Sequence, residues 1–143
     1  MAHHIAAFLE NKPGRLEELT GILGDAGVNI RAMTLSTHSA GWGVVNVLAN
    51  DPQQGYAALV GAGYSVALRE IVVAEVSDHP GGLHQMLTLL AEAGINVQNA
   101  YATIRPTGRS AILVIDVEDV EGASKLLEAA KIKTLTDDQI YDL

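Results

Sequence analysis

Two hydrophobic periods alternate along the chain. Residues 3–9 (His3, His4, Ile5, Ala6, Ala7, Phe8, Leu9) form a short apolar run that stops at Asn11-Lys12-Pro13-Gly14, which predicts a strand followed by a turn. Leu16, Leu19, Leu23 and Ala26 then recur at helical steps and share one stripe, with Glu17, Glu18 and Asp25 facing away. Pro13 is expected at the first helical position, where a missing N–H costs nothing, and Gly27 at the left-handed residue that closes the helix. Residues 28–37 are extended, residues 38–43 form a turn, and Val44 to Ala49 return as a third strand, so the pair is a hairpin. Asp51-Pro52 reads as cap and first residue of a short helix through about Val60 that Gly61 and Gly63 end, and residues 65–69 are a weaker fourth strand.

The pattern is then written again. Pro80, Gly81, Leu83, Gly94 and Asn96 each lie 67 positions beyond Pro13, Gly14, Leu16, Gly27 and Asn29. Leu83, Met86, Leu90 and Ala93 repeat the stripe at the same offset, so no insertion separates the proline-glycine element from the glycine-asparagine element in either copy. A strand at 71–76, a hairpin from Val97–Ile104 and Ala111–Val117 around an Arg105-Pro106-Thr107-Gly108 turn, and a helix at 121–130 complete the second cycle. Residues 133 onward supply a last strand and an acidic tail. Each half is strand-helix-strand-strand-helix-strand. This α+β order is the ferredoxin-like arrangement, an antiparallel sheet with two helices on one face. The expected domains are residues 1–69 and 70–143.

Composition narrows the function classes. Halves of about 70 residues are near the size at which a lone core is marginal, so each is expected to lean on the other half or on a second chain. Seventeen acidic against nine basic residues give a net charge of −8 with no Lys/Arg run, which disfavours nucleic acid as a partner. The absence of cysteine removes thiolate metal sites and thiol catalysis. No apolar run approaches the ~20 residues that cross a bilayer, so no membrane partner and a cytoplasmic location are expected.

The candidate chemistry sits in the repeated turns. A free amino acid carries a carboxylate and an ammonium, so its site needs both donors and acceptors. A turn before a helix offers exposed N–H groups at the positive end of a dipole, and Gly14 or Gly81 lets a ligand approach the backbone. A side-chain amide offers donors and an acceptor together, which suits Asn11, Asn29 and Asn96. Asn11, Lys12, Arg15 and Arg31 of the first copy are replaced by Asp78, His79, Gly82 and Gln98 in the second, so the two turns are not expected to bind one ligand equally. Lys12, Arg15 and Arg31 also read as solvated surface charges, and Pro-Gly as plain helix punctuation. His79 and His84 stand five apart with no carboxylate or thiol cluster beside them, so no metal or cofactor is expected and the histidines read as ordinary surface residues. Trp42, between two glycines, reads as a partner contact or as a simple hairpin residue. No nucleophile-base pair or phosphate loop supports an enzyme.

The order Asn11-x-Pro13-Gly14-x-Leu16 followed by Gly27-Val28-Asn29-Ile30 after a first strand resembles the ACT domain, the small regulatory module of amino-acid metabolism, and the chain looks like two of them in tandem. The first half is most similar to the serine-sensing domain of D-3-phosphoglycerate dehydrogenase. The resemblance implies a non-catalytic protein that binds an amino acid or close analogue where ACT domains pair, as a homodimer, with a separate metabolic enzyme as a further partner. It implies ligand contacts at Asn11, Lys12, Gly14, Arg15, Leu16, Asn29 and Ile30 in the first unit and at Asp78, His79, Gly81, Gly82, Leu83, Asn96 and Val97 in the second. Leu9 and Val76 stand where the serine-sensing domain has a histidine, so serine itself is not implied. The alternative is a docking subunit of a separate enzyme with no ligand of its own.

Overall fold

The computed structural model describes residues 1–38, 40–105 and 108–143; Ser39, Pro106 and Thr107, at the tips of the two expected hairpin turns, lie outside the described residues. The chain divides into two compact units, one of residues 3–69 with 140–143 and one of residues 1–2 with 70–139, called here N-terminal and C-terminal.

In the N-terminal unit, β1 (Ala2–Glu10), β2 (Ile30–His38) and β3 (Trp42–Ala49) form an antiparallel sheet in the order β2-β3-β1. Ile5, Ala7 and Leu9 from β1 and Val45, Val47 and Ala49 from β3 point to one face. There they meet Leu19 and Leu23 of α1 (Arg15–Asp25) and Leu59 of α2 (Pro52–Gly61). Burying a side chain of this size contributes about 1.5–3 kcal/mol. Asp51 caps α2 by accepting from the Gln54 amide at 3.0 Å, and Pro52 follows it, as the sequence pattern predicts. On the other edge of β1 the Phe8 amide donates to the Ser65 carbonyl at 2.9 Å.

β4 (Val66–Ser77) is a single strand of 12 residues, although the pattern reads as a weak strand and a fresh start. The polar pair Arg69-Glu70 breaks the apolar run in the sequence without breaking the backbone. In the C-terminal unit it pairs with β6 (Ser110–Val117), which pairs with β5 (Val97–Ile104). Residues 133–135 take the fourth position through an Ala74–Thr134 bridge and a Leu135 amide bond to the Val73 carbonyl at 2.8 Å. Met86 and Leu90 of α3 (Gly82–Glu92) and Ala123 and Leu127 of α4 (Val120–Ala129) cover Val72, Ala74, Leu113 and Ile115. The expected tail is in part a helix, α5 (Asp137–Tyr141). Thr136 and Gln139 hold its start reciprocally, since the Thr136 amide donates to Gln139 Oε1 at 2.9 Å and the Gln139 amide to Thr136 Oγ1 at 3.4 Å.

All four longer helices end in the same way. The residue after the cap sits in the left-handed region and two backbone bonds close the turn, such as Gly27 to Gly24 and Val28 to Leu23 after α1. Gly27, Gly63 and Gly94 fill this position at φ of 74°, 89° and 71°, but after α4 it is Lys131, at φ 62°. Among the described residues Lys131 is the one non-glycine at positive φ. Lys131→Gly is expected to raise stability by about 1 kcal/mol in urea unfolding, as the strain of a side chain in this region is removed.

Glu75 joins three segments of the C-terminal unit. Its carboxylate accepts from Ser110 Oγ at 2.8 Å and Arg105 Nη1 at 2.9 Å, and Lys133 Nζ lies 3.8 Å away. The Ser110 and Arg105 hydrogen bonds outweigh burial and hold this carboxyl below its ordinary value of 4.5. A carboxyl lowered by folding stabilises above its unfolded value, and that contribution is lost as pH falls through the folded one. Stability of the parent chain is therefore expected to drop more steeply below about pH 4.5 than that of Glu75→Gln, which lacks this titration.

Candidate functional site

The two proline-glycine elements are type II turns rather than helix starts. Gly14 has φ 85° and ψ −7°, and the Arg15 amide reaches back to the Lys12 carbonyl at 3.4 Å; Gly81 has φ 88° and ψ −9°, with the Gly82 amide on the His79 carbonyl at 3.1 Å. Proline at the second turn position and glycine at the third are what this turn requires. Pro13 and Pro80 thus precede the helix instead of opening it. The consequence is that glycine occupies both N-caps, and no side chain caps α1 or α3. Helix N–H groups in the first turn are left for water or a ligand.

The charged residues of the first turn form one connected group. Lys12 Nζ lies 2.9 Å from Glu10 Oε2, while Arg15 Nη2 lies 3.9 Å from Glu10 Oε1 and Arg15 Nη1 lies 3.4 Å from Glu18 Oε2. Tyr64, from the loop after α2, donates its hydroxyl to Glu18 Oε1 at 2.9 Å. The hydrogen bond from Lys12, with the charges of Lys12 and Arg15, lowers the Glu10 carboxyl. Burial first, and then the hydrogen bond and charge of Glu18, push the Tyr64 hydroxyl upward, so it stays a donor at neutral pH. Arg15 Nε is buried and has no hydrogen-bond acceptor.

Two clefts open beside Arg15. A recess of about 50 Å³ lies on the β2 flank, lined by Asn11, Lys12, Arg15, Leu16, Leu35 and Thr37 among others. A larger cleft, of about 280 Å³, lies on the other flank against Glu18 and Ala62 to Ser65. The first brings together Asn11, Lys12, Arg15 and Leu16 as the sequence suggests. It does not include Asn29 or Ile30, which follow the far end of α1, roughly 16 Å away along an 11-residue helix. Asn29 is clamped by Asn50, whose Oδ1 accepts from its amide at 2.8 Å and whose amide donates to its carbonyl at 3.0 Å. Ile30 packs against the core. Arg31 donates from Nη2 to the Tyr141 carbonyl at 2.9 Å and is not a free surface charge.

The second turn is built differently. Gly82 stands where Arg15 does, and a Cβ there would come within 2.5 Å of the Ser77 carbonyl oxygen, with the His79 ring at 3.2 Å. Asp78, His79, Gly81 and Leu83 line none of the clefts described. Asn96, with Gly94, Gln98, Glu118 and Asp119, instead lines a cleft of about 300 Å³ at the opposite end of α3, while Val97 packs against the core. His4 corrects the surface reading of the histidines, being fully buried on the face of β1 opposite Ile5. Trp42 belongs to β3 rather than to the turn and stacks on Phe8 at 4.8 Å and on His38 at 4.3 Å. Among the described residues no group of three His, Cys, Asp or Glu is placed to hold a metal ion, and no helix is long and apolar enough to cross a membrane.

The fold and its duplicated turns agree with the comparisons. The family model of the ACT domain pair matches residues 1–143, and the chain belongs to that family. It is therefore two ACT domains in tandem, a regulatory module. Its structure is similar to that of a protein from Bacteroides thetaiotaomicron, at 27% identity, 99% coverage of this chain and 96% of that one, and a TM-score of 0.91. The ligand-free regulatory subunit of aspartate kinase from Thermus thermophilus shares the fold, at 16% identity, 90% and 91% coverage and a TM-score of 0.66. No curated protein matches the sequence.

Because the close approach at Gly82 is to backbone, which cannot swing aside, Gly82→Ala is expected to cost about 1–3 kcal/mol. Thermal unfolding of the purified variant reads this directly.

Proposed function

We propose that the chain is a non-catalytic sensing protein that binds an amino acid or a close analogue at the Asn11–Leu16 turn. What supports this most is the uncapped start of α1 beside Lys12, Arg15 and Glu10, which offers donors for a carboxylate and an acceptor for an ammonium within one recess. The second turn, with glycine for arginine and a Cβ-sized space already filled by backbone, is the structural one of the pair.

The recess on the β2 flank, about 50 Å³, has room for a few waters and not for an amino acid, so another surface must close it. A second copy of the chain, paired about a two-fold axis, is the partner in this reading. Asn29 then reaches a ligand only from another domain, since its own turn is a helix length away. A ligand bridging two copies favours the paired state by its differential affinity, which makes pairing the regulated event. Regulatory subunits of aspartate kinase share the fold, and an enzyme in amino-acid metabolism is the output this reading favours.

A thermal-shift panel of the common amino acids tests it. One or a few should raise the melting temperature; a ligand at 100 times its dissociation constant adds about 2.7 kcal/mol, on the order of 10 °C for domains of this size. The shift should vanish in Asn11→Ala with Lys12→Ala. If none of them shifts the melting temperature at millimolar concentration, the docking-subunit alternative replaces this one.

A further inference from the structure

β5 is a bare edge of the C-terminal sheet. Among the described residues it pairs with β6 alone, so the backbone N–H and C=O groups on its other side meet no strand. Its one irregularity falls between Val97 and Asn99, which leaves Asn99 to Ile104 a regular strand. None of the residues that blunt such an edge is present, since Val97–Ile104 holds no proline, lysine or other charge.

The flank around this edge is apolar. Ala100 and Ala102 stand opposite Ile115 and Leu113 of the core and so lie on the helix-covered face, yet they and Ile104 are exposed, because the helices stop short of the edge. Leu83 of α3 is 45% exposed and Ile104 is 64% exposed. Their counterparts 67 positions earlier, Leu16 and Thr37, line a single recess with Leu35, the counterpart of Ala102. Leu83, Leu87 and Ala91 follow one another at steps of four and form a ridge along α3. Between the two copies this surface has lost its charge. Residues 15–37 include Arg15, Glu17, Glu18, Asp25 and Arg31, whereas the corresponding residues 82–104 include Glu92 as their one charge. In a chain of net charge −8 such a patch meets a copy of itself without the like-charge repulsion that Glu17 and Glu18 bring to the corresponding flank of the first unit.

We infer that the flank formed by α3 and β5 is an interface between two copies of this chain, in which β5 pairs antiparallel with the same strand of the partner about a two-fold axis perpendicular to the sheet. That axis keeps both α3 helices on one face, so the ridge of Leu83, Leu87 and Ala91 meets its own copy above the joined strands. The strand supplies about 27 Å of length, and the strand and helix layers together about 20 Å of depth. This amounts to on the order of 500 Å² per copy, at the lower limit of specific interfaces, roughly 1,000 Å² in total. The pairing needs no ligand. It is separate from the ligand-dependent closure proposed at the β2 flank of the N-terminal unit.

Sedimentation equilibrium without amino acids tests it. The parent should show twice the 15.1 kDa of one chain at micromolar concentration. Ala102→Lys sets two like charges beside the axis and should raise the dissociation constant by roughly a hundredfold or more, leaving a folded monomer. Ile104→Lys, near the strand end, should also dissociate the pair, while Leu35→Lys, the counterpart in β2, should leave it intact. Far-ultraviolet ellipticity separates loss of pairing from loss of fold. In the parent itself, exchange of the β5 amides should slow as concentration rises, which reads the pairing without a variant. A monomeric parent, a mass that both lysine variants on β5 leave unchanged, or a dimer that Leu35→Lys alone dissociates overturns the inference. A monomer that still shows an amino-acid thermal shift overturns this inference alone, and a ligand-free dimer with no such shift overturns the sensing reading alone.

Discussion

The constraint on which the rest depends is the left-handed glycine at each end of the first helix of each unit. Gly14 and Gly27 bracket α1, and Gly81 and Gly94 bracket α3, all at φ between 71° and 88°. A left-handed residue at the start forces the chain to enter the helix from a type II turn, which puts glycine rather than a capping side chain at the N-cap. One at the end brings its own N–H and that of the next residue back onto the final carbonyls and turns the backbone directly into the next strand. The helix is thereby fixed in length and in its register on the sheet, with Leu19 and Leu23, or Met86 and Leu90, brought down on the strands. The lack of a side-chain cap at its start is a by-product of that geometry, and it is what makes the turn chemically interesting.

The two units diverge around this shared frame. In the first, the turn carries charge: arginine follows the glycine, and two carboxylates and a phenol gather around it. In the second, Gly82 lets the Ser77 carbonyl approach where a side chain would stand. At the other helix end the difference runs the opposite way. Asn50 clamps Asn29 in the first unit, whereas the corresponding loop of the second has Glu118 and Asp119 lining an open cleft. Duplication has preserved the backbone demands while the side chains between them have been free to change.

Most of the fold was legible because the signals were backbone demands. The 67-residue offset, the helical stripes and Asp51-Pro52 each specify local geometry directly. Pro13 misled because proline-glycine satisfies two rules, the first position of a helix and the middle of a type II turn, and only the sign of φ at Gly14 decides between them. The last helix had a readable signal, the Thr136-x-x-Gln139 capping box, hidden in a stretch that looked merely acidic. The site was legible only in part. Arg15 and Glu18 are three residues apart on a helix and could have been paired on that ground. Tyr64 joins them from 46 residues beyond Glu18, and no local pattern announces such a contact. Asn29 is grouped with the turn by its side-chain amide and by the resemblance, and within one unit the length of α1 keeps the two apart.

The stack of His38, Trp42 and Phe8 runs across β2, β3 and β1 on the face without helices. Trp42 is the single tryptophan of the chain, and all three rings belong to the N-terminal unit. Indole emission thus reports on that unit: it follows the opening of those three strands. Set beside far-ultraviolet ellipticity, which weighs every helix alike, it separates a molecule that melts as one body from a molecule that melts in halves.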